Sequence, residues 1–93
     1  MFIELLTVEF YLEGCSSLKQ KRSALSGLKD RFGKIHHVAV VESGFQDVHK
    51  RSEWSFTVCA LNQKIIDKTI SQIEQFVRLD IDAEVIRFFR ERM

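Results

Sequence analysis

From Phe2 to Leu12 the chain alternates. Leu6, Val8, Phe10 and Leu12 fall on one side, and Thr7, Glu9 and Tyr11 on the other. A period of two predicts a half-buried strand. Glu13-Gly14-Cys15 turns the chain, and the period then changes. Leu18, Leu25, Leu28 and Phe32 recur at helical spacing, and Ser16 and Ser17 offer an N-cap oxygen. The predicted helix runs to about Phe32. Gly33 stands where a left-handed C-cap belongs, with Arg31 and Lys34 beside the negative helix end. Ile35 to Glu42 reads as a second strand, on the β-branched run around Val38-Ala39-Val40-Val41, and Ser43-Gly44 breaks it. After a polar connection, Ser52 to Leu61 alternates again. Trp54, Phe56, Val58 and Ala60 share one face; Glu53, Ser55, Thr57 and Cys59 share the other. A second helix takes Asn62 as N-cap and carries Ile65, Ile66, Ile70, Ile73, Phe76 and Val77 on one broad face. Asp80 to Ala83 links it to a last strand over about Glu84 to Arg90.

The order is strand, helix, strand, strand, helix, strand. Each strand–helix–strand unit wants a right-handed crossover. Two such units interleave into a ferredoxin-like α+β plait: a four-stranded antiparallel sheet with both helices on one face. Residues 1–93 are expected to form this one domain, with no repeat and no low-complexity tract. The second strand then lies at a sheet edge. The other sheet face stays open, carrying Thr7, Glu9, Tyr11, Ser55 and Thr57. Either Ile86 with Phe88, or Val85 with Phe89, must also face outward on the last strand.

Composition narrows the function classes. A net charge of +1 argues against holding nucleic acid by bulk charge, so any such role needs a local patch. No apolar run approaches the roughly 20 residues of a membrane span. Met1-Phe2-Ile3-Glu4 lacks the basic start of a signal peptide. Cys15 and Cys59 make no disulfide framework. Together these features predict a cytoplasmic protein with reduced thiols and no membrane partner. His36 and His37 are consecutive on the expected strand and would face opposite ways. His49 stands alone, and no Cys-x-x-Cys occurs. No metal or other cofactor is expected. Cys15 has no histidine placed by sequence to act as its base, so nucleophilic catalysis is not expected there.

Charge gathers on the first helix. From Ser16 to Lys34 there are six basic residues and one acid, Asp30. On a wheel of about 100° per residue, Lys21 falls inside the apolar arc. It must snorkel or meet an acid, with Glu42, Glu9 and Asp47 as candidates. Arg22 and Lys29 flank the arc, with Lys19 beside Arg22. This border could hold phosphate at a helix N-terminus or along a nucleic-acid backbone. Gln46, Asp47, His49, Lys50 and Arg51 form a second polar cluster between strands two and three. The RNA-recognition motif shares this strand order. Arg51-Ser52-Glu53-Trp54-Ser55-Phe56 keeps its alternate aromatics but lacks its glycines, and Trp54 and Phe56 fall with the core set. The Gly14–Lys21 turn lacks the Arg and Asn constellation of the acylphosphatases, which are also plaits.

At Ser17-Leu18-Lys19-Gln20-Lys21-Arg22, Leu28-Lys29-Asp30-Arg31-Phe32, Val38-Ala39-Val40-Val41-Glu42 and Gln46-Asp47, the chain resembles the YlxP-like family of small bacterial domains. The likeness spans nearly the whole chain. Members usually continue Gln-Asp with Leu-Trp-Gln-Arg-Ala, where this chain has Val48-His49-Lys50-Arg51-Ser52, so a loop aromatic is missing. The resemblance implies a ferredoxin-like plait and a cytoplasmic location, and in some bacteria the family's gene lies among those for translation initiation and ribosome maturation. It implies no catalytic mechanism. The expected function is therefore a non-enzymatic module associated with RNA or the ribosome. Lys19, Arg22, Lys29, Lys50 and Arg51 would contact phosphates. Lys21, Glu42, Gln46 and Asp47 would form an internal polar brace. A self-assembling homodimer, paired through the second strand or the open face, is the alternative. An enzyme acting on a phosphorylated small molecule at the Ser16–Lys21 turn is a third, weaker reading.

Overall fold

A computed structural model describes residues 1–93. The elements are β1 (Phe2–Tyr11), α1 (Leu18–Phe32), β2 (Val38–Gly44), β3 (Arg51–Ala60), α2 (Gln63–Leu79) and β4 (Glu84–Arg92). The sheet order is β2-β3-β1-β4, and every neighbouring pair is antiparallel. This is the ferredoxin-like α+β plait that the alternation predicts. No helix is long and apolar enough to cross a membrane.

Register explains the core. Leu6 faces Phe56 and Val8 faces Trp54 across β1 and β3. These side chains meet Leu25, Leu28 and Phe32 of α1 and Ile66, Ile70, Ile73 and Val77 of α2. Each fully buried side chain of this kind contributes about 1.5–3 kcal/mol. The ring of Phe32 stands edge-on to both Phe56 and Phe76, at 6.0 and 5.4 Å between centroids. Helix α1 lies against α2 at Gly27, where a Cβ would lie 3.2 Å from Cζ of Phe76.

Helix α1 opens on a reciprocal cap. The Ser17 hydroxyl accepts from the Gln20 N–H at 3.1 Å, and Gln20 Oε1 accepts from the Ser16 N–H at 2.8 Å. Its far end departs from expectation. Gly33 is right-handed, with φ −67°, and donates its N–H to the Lys29 carbonyl. Ile35 N–H bonds back to Phe32, and Val38 N–H to Ile35. Residues 35–37 are thus spent on a turn, and β2 begins three residues later than its apolar run suggests. His36 and His37 consequently do not sit on opposite strand faces. Their rings lie 5.4 Å apart, and Nε2 of His37 is 3.0 Å from the Thr69 hydroxyl. No three His, Cys, Asp or Glu side chains gather as a metal-binding group.

Two bulges shape the strands. Ser43 and Gly44 extend β2 across a register shift, and the chain breaks only at Phe45, which adopts φ 58°. In β4 the register slips between Glu9 and Phe10, leaving Ile86 as the extra residue between Val85 and Arg87. Val85 and Phe88 therefore pack against the core, whereas Ile86 and Phe89 are exposed. The strict alternation expected for this strand is broken by that one residue.

Candidate functional site

The site starts from Lys21, whose side chain is 2% exposed. Its helical position aims it at the sheet, so burial forces it to find partners. Nζ lies 3.1 Å from Glu42 Oε2 and donates to the carbonyls of Phe45 (2.7 Å), Arg51 (3.2 Å) and Gln46 (3.3 Å). An ammonium has three N–H bonds, and four acceptors already surround it. Lys21 is thus saturated by its own chain, with no N–H left over for a ligand. Glu42 Oε2 also accepts from the Ser52 hydroxyl at 2.5 Å. Gln46 joins twice, by its carbonyl and by donating Nε2 to the Glu42 carbonyl at 3.1 Å. Asp47 is exposed and takes no part. The cluster clamps the β2–β3 connection to α1 and holds Phe45 in its left-handed conformation.

The cationic residues fall into two groups. Arg51 lies opposite Tyr11 in register, on the open sheet face. Its Nη2 meets Glu9 Oε2 at 2.8 Å, its guanidinium sits 4.5 Å from the Phe45 ring centre, and its buried Nε has no partner. The structure separates Arg51 from the helix border that it was expected to extend. Lys50 is exposed but donates to the Glu13 carbonyl at 2.6 Å, tying the hairpin to the β1–α1 turn. Lys19, Arg22 and Lys29 are exposed and make no ion pair or side-chain hydrogen bond.

The direction of that border follows from what α1 touches. Gly27 meets Phe76, and Arg31 lies 5.5 Å from the same ring, so this flank of α1 faces α2. Arg22 and Lys29 stand about 150° round the helix from Gly27. Since α1 packs over β2, they overhang the free edge of that strand. Lys34 and His36, both exposed, continue the line beyond the helix end. The helix N-terminus itself offers little to an anion. Its cap hydrogen bonds are taken by Ser17 and Gln20. A cleft of about 670 Å³ beside it is rimmed by Glu13, Asp82 and Glu84, and these carboxylates disfavour phosphate.

A second polar cluster was missed by sequence reasoning. Glu4 is buried beneath α2 and β4. Arg90 donates to it twice, at 2.9 and 3.2 Å, and Gln63 once, at 2.8 Å. Arg90 also reaches Asp67 at 2.8 Å. The Arg90 hydrogen bond, followed by that of Gln63, holds the Asp67 carboxyl below its ordinary value; the Asp67 bond raises Arg90. The available signal was parity, because Glu4 shares its strand face with Leu6, Val8 and Phe10. An acid on a core face needs a partner. This cluster clasps β4 to the sheet and to α2.

Fold and site together define a small α+β plait with a lysine-centred brace beneath an unpaired basic helix flank. The chain belongs to the DUF503 family, described as proteins of unknown function, whose family model matches residues 3–90. No curated protein matches it.

Proposed function

We propose that this protein is a non-enzymatic, cytoplasmic RNA- or ribosome-associated module that grips phosphate backbone along α1. The observation that carries this reading is the state of Lys19, Arg22 and Lys29. They are exposed and unpaired on one helix, while Lys21 beneath them is committed to the brace. Arginine and lysine side chains free of internal partners are the ones available to phosphate. The YlxP-like resemblance, with its association to translation genes, points the same way. Lys50 borders the patch and could add a contact by leaving its carbonyl partner. Arg51 contributes by holding Phe45 rather than by touching RNA.

The test is a salt titration of binding to a structured RNA. Affinity should be sequence-tolerant and fall with salt. Replacing Lys19, Arg22 and Lys29 by Ala should lower the slope of log K against log salt by about three. No binding by the wild-type chain at low salt would end the proposal. A pull-down from extract, with and without nuclease, would separate RNA from protein partners.

A homodimer paired through β2 is the second reading. The edge carries Val41 at 54% exposure and has no Pro or Lys within the strand. By contrast, β4 is protected by its charges and its bulge. The overhanging Arg22 and Lys29 weaken this reading, because a two-fold pairing would set them near their own copies. Sedimentation over a dilution series decides between monomer and dimer.

A further inference from the structure

Resting on that RNA reading, we infer that the ligand is duplex RNA laid across the whole helix layer, with Lys64 and Lys68 of α2 as a second row of phosphate contacts. In this topology α1 and α2 run antiparallel, side by side on one sheet face. They touch where the Phe76 ring of α2 lies against Gly27 of α1. Lys64 and Lys68 lie about 160° from Ile66 on the α2 wheel, on the side turned away from the core. Both are exposed and unpaired.

The acids of the layer do not neutralise these rows. On α2, Asp67 is held by Arg90 and Glu74 by Arg78. Asp30 is the one acid within the two helices that has no such partner. Lys19, Arg22, Lys29, Lys64 and Lys68 therefore stand largely uncompensated. Arg22 and Lys29 are two turns apart on α1, about 10 Å. Lys64 and Lys68 lie beyond the C-terminal end of α1, level with the His36–His37 turn, since Thr69 meets His37 Nε2 at 3.0 Å. The cations therefore spread along and across the helix layer rather than in a single line.

The aromatics argue for a duplex. A single strand is held by bases stacked on exposed rings. Here Phe45, Phe76, Phe88 and Phe89 each already lie under a guanidinium, from Arg51, Arg31, Arg78 and Arg87, at 4.5 to 5.6 Å. Phe10, Phe32, Phe56 and Trp54 are in the core. Exposed Phe2 and half-buried Tyr11 carry no guanidinium, but they stand at opposite ends and on opposite faces of β1 and form no shared platform. A duplex needs no stacking platform, because it is recognised by backbone shape and charge.

The experiment is fluorescence anisotropy on the intact chain, with an RNA duplex of about 16 base pairs and with each of its single strands. Wild type is compared with Lys64→Ala/Lys68→Ala. Because both lysines are exposed, the variant's melting temperature should be unchanged, which separates a contact from a folding defect. The duplex should bind more tightly than either strand, and the double variant should lower the salt slope by about two. Equal or tighter binding of a single strand would overturn the inference, as would an unchanged slope in the double variant. Either result leaves the α1 reading intact if the Lys19, Arg22 and Lys29 substitutions still reduce binding. Failure of the wild type to bind any RNA would remove both.

Discussion

Lys21→Met is the sharpest test of how the site is built. Methionine keeps most of the apolar stem but removes the charge. Four acceptors then lose their donor: the Glu42 carboxylate and the carbonyls of Phe45, Gln46 and Arg51. Breaking a buried pair on one side costs about 3–5 kcal/mol. One effect pulls toward the low end: Glu42 is 23% exposed, so water can reach its carboxylate. Side-chain entropy does not shift the balance, because a buried methionine loses about as much rotamer freedom as a buried lysine. The expected loss is about 3 kcal/mol, a large fraction of the roughly 5–15 kcal/mol of a whole domain. It should be read as a lower midpoint in urea with an unchanged slope. Glu42→Gln alone should cost less. The double variant should cost less than the sum of the two, a coupling of about 1–2 kcal/mol. Added salt should change the loss little, since a buried pair is weakly screened. A loss below about 1 kcal/mol, or strict additivity, would show that Lys21 is not a brace.

Three further outcomes follow from other contacts. The Asp67 carboxyl is held below its ordinary value of 3.8, so the folded state favours its charged form. Its contribution is present above that value and is lost as pH falls below it; Asp67→Asn should flatten that part of a stability-versus-pH curve, and an unchanged curve would refute the link. Gly27→Leu should destabilise by about 1–3 kcal/mol, through overpacking against Phe76, despite better helix propensity; a rise in melting temperature would mean that the helices can separate freely. Phe45→Val places a β-branched residue at φ 58° and removes the ring beneath Arg51, so a loss of about 1–3 kcal/mol is expected in chemical denaturation. Equal stability there would show that the hairpin relaxes without cost.

Periodicity made the fold legible because each element has one buried face and simple spacing. The apolar sides of β1, β3, α1 and α2 are the sides that the structure buries, except that Ile65, expected on the buried face of α2, is exposed at the edge of that face. Errors arose where local hydrogen bonds outcompeted the pattern. Ile35 is apolar and β-branched, yet the turn bonds from Phe32 through Val38 hold it out of the strand. Ile86 is apolar, yet a bulge places it between two pleats. Neither event has a signature in spacing, since one extra residue costs a strand only a local kink.

The candidate site was legible where charge met burial. Lys21 was visible as a lysine inside an apolar arc, and a buried cation must be answered by an acid or by carbonyls. Which carbonyls answer it depends on a hairpin whose path no periodicity describes. Arg51 shows the opposite limit. Its charge placed it with Lys50, but strand parity puts it opposite Tyr11 and beside Glu9, across the sheet from α1. A basic residue therefore belongs to a surface only after its own chain has made no claim on it. Arg31, Arg51, Arg78 and Arg87 lie over aromatic rings, and Arg90 holds Glu4. Planar guanidinium groups suit those partners better than ammonium groups do. That division of labour leaves mostly lysines facing water on the helix layer, with Arg22 as the arginine among them. It is also why a chain of net charge +1 can present an uncompensated cationic face. The acids are fewer than the bases by one; on the helix layer only Asp30 is unpaired, Asp67 and Glu74 are held by arginines, and others stand at the cleft, the clasp and the open side of the sheet.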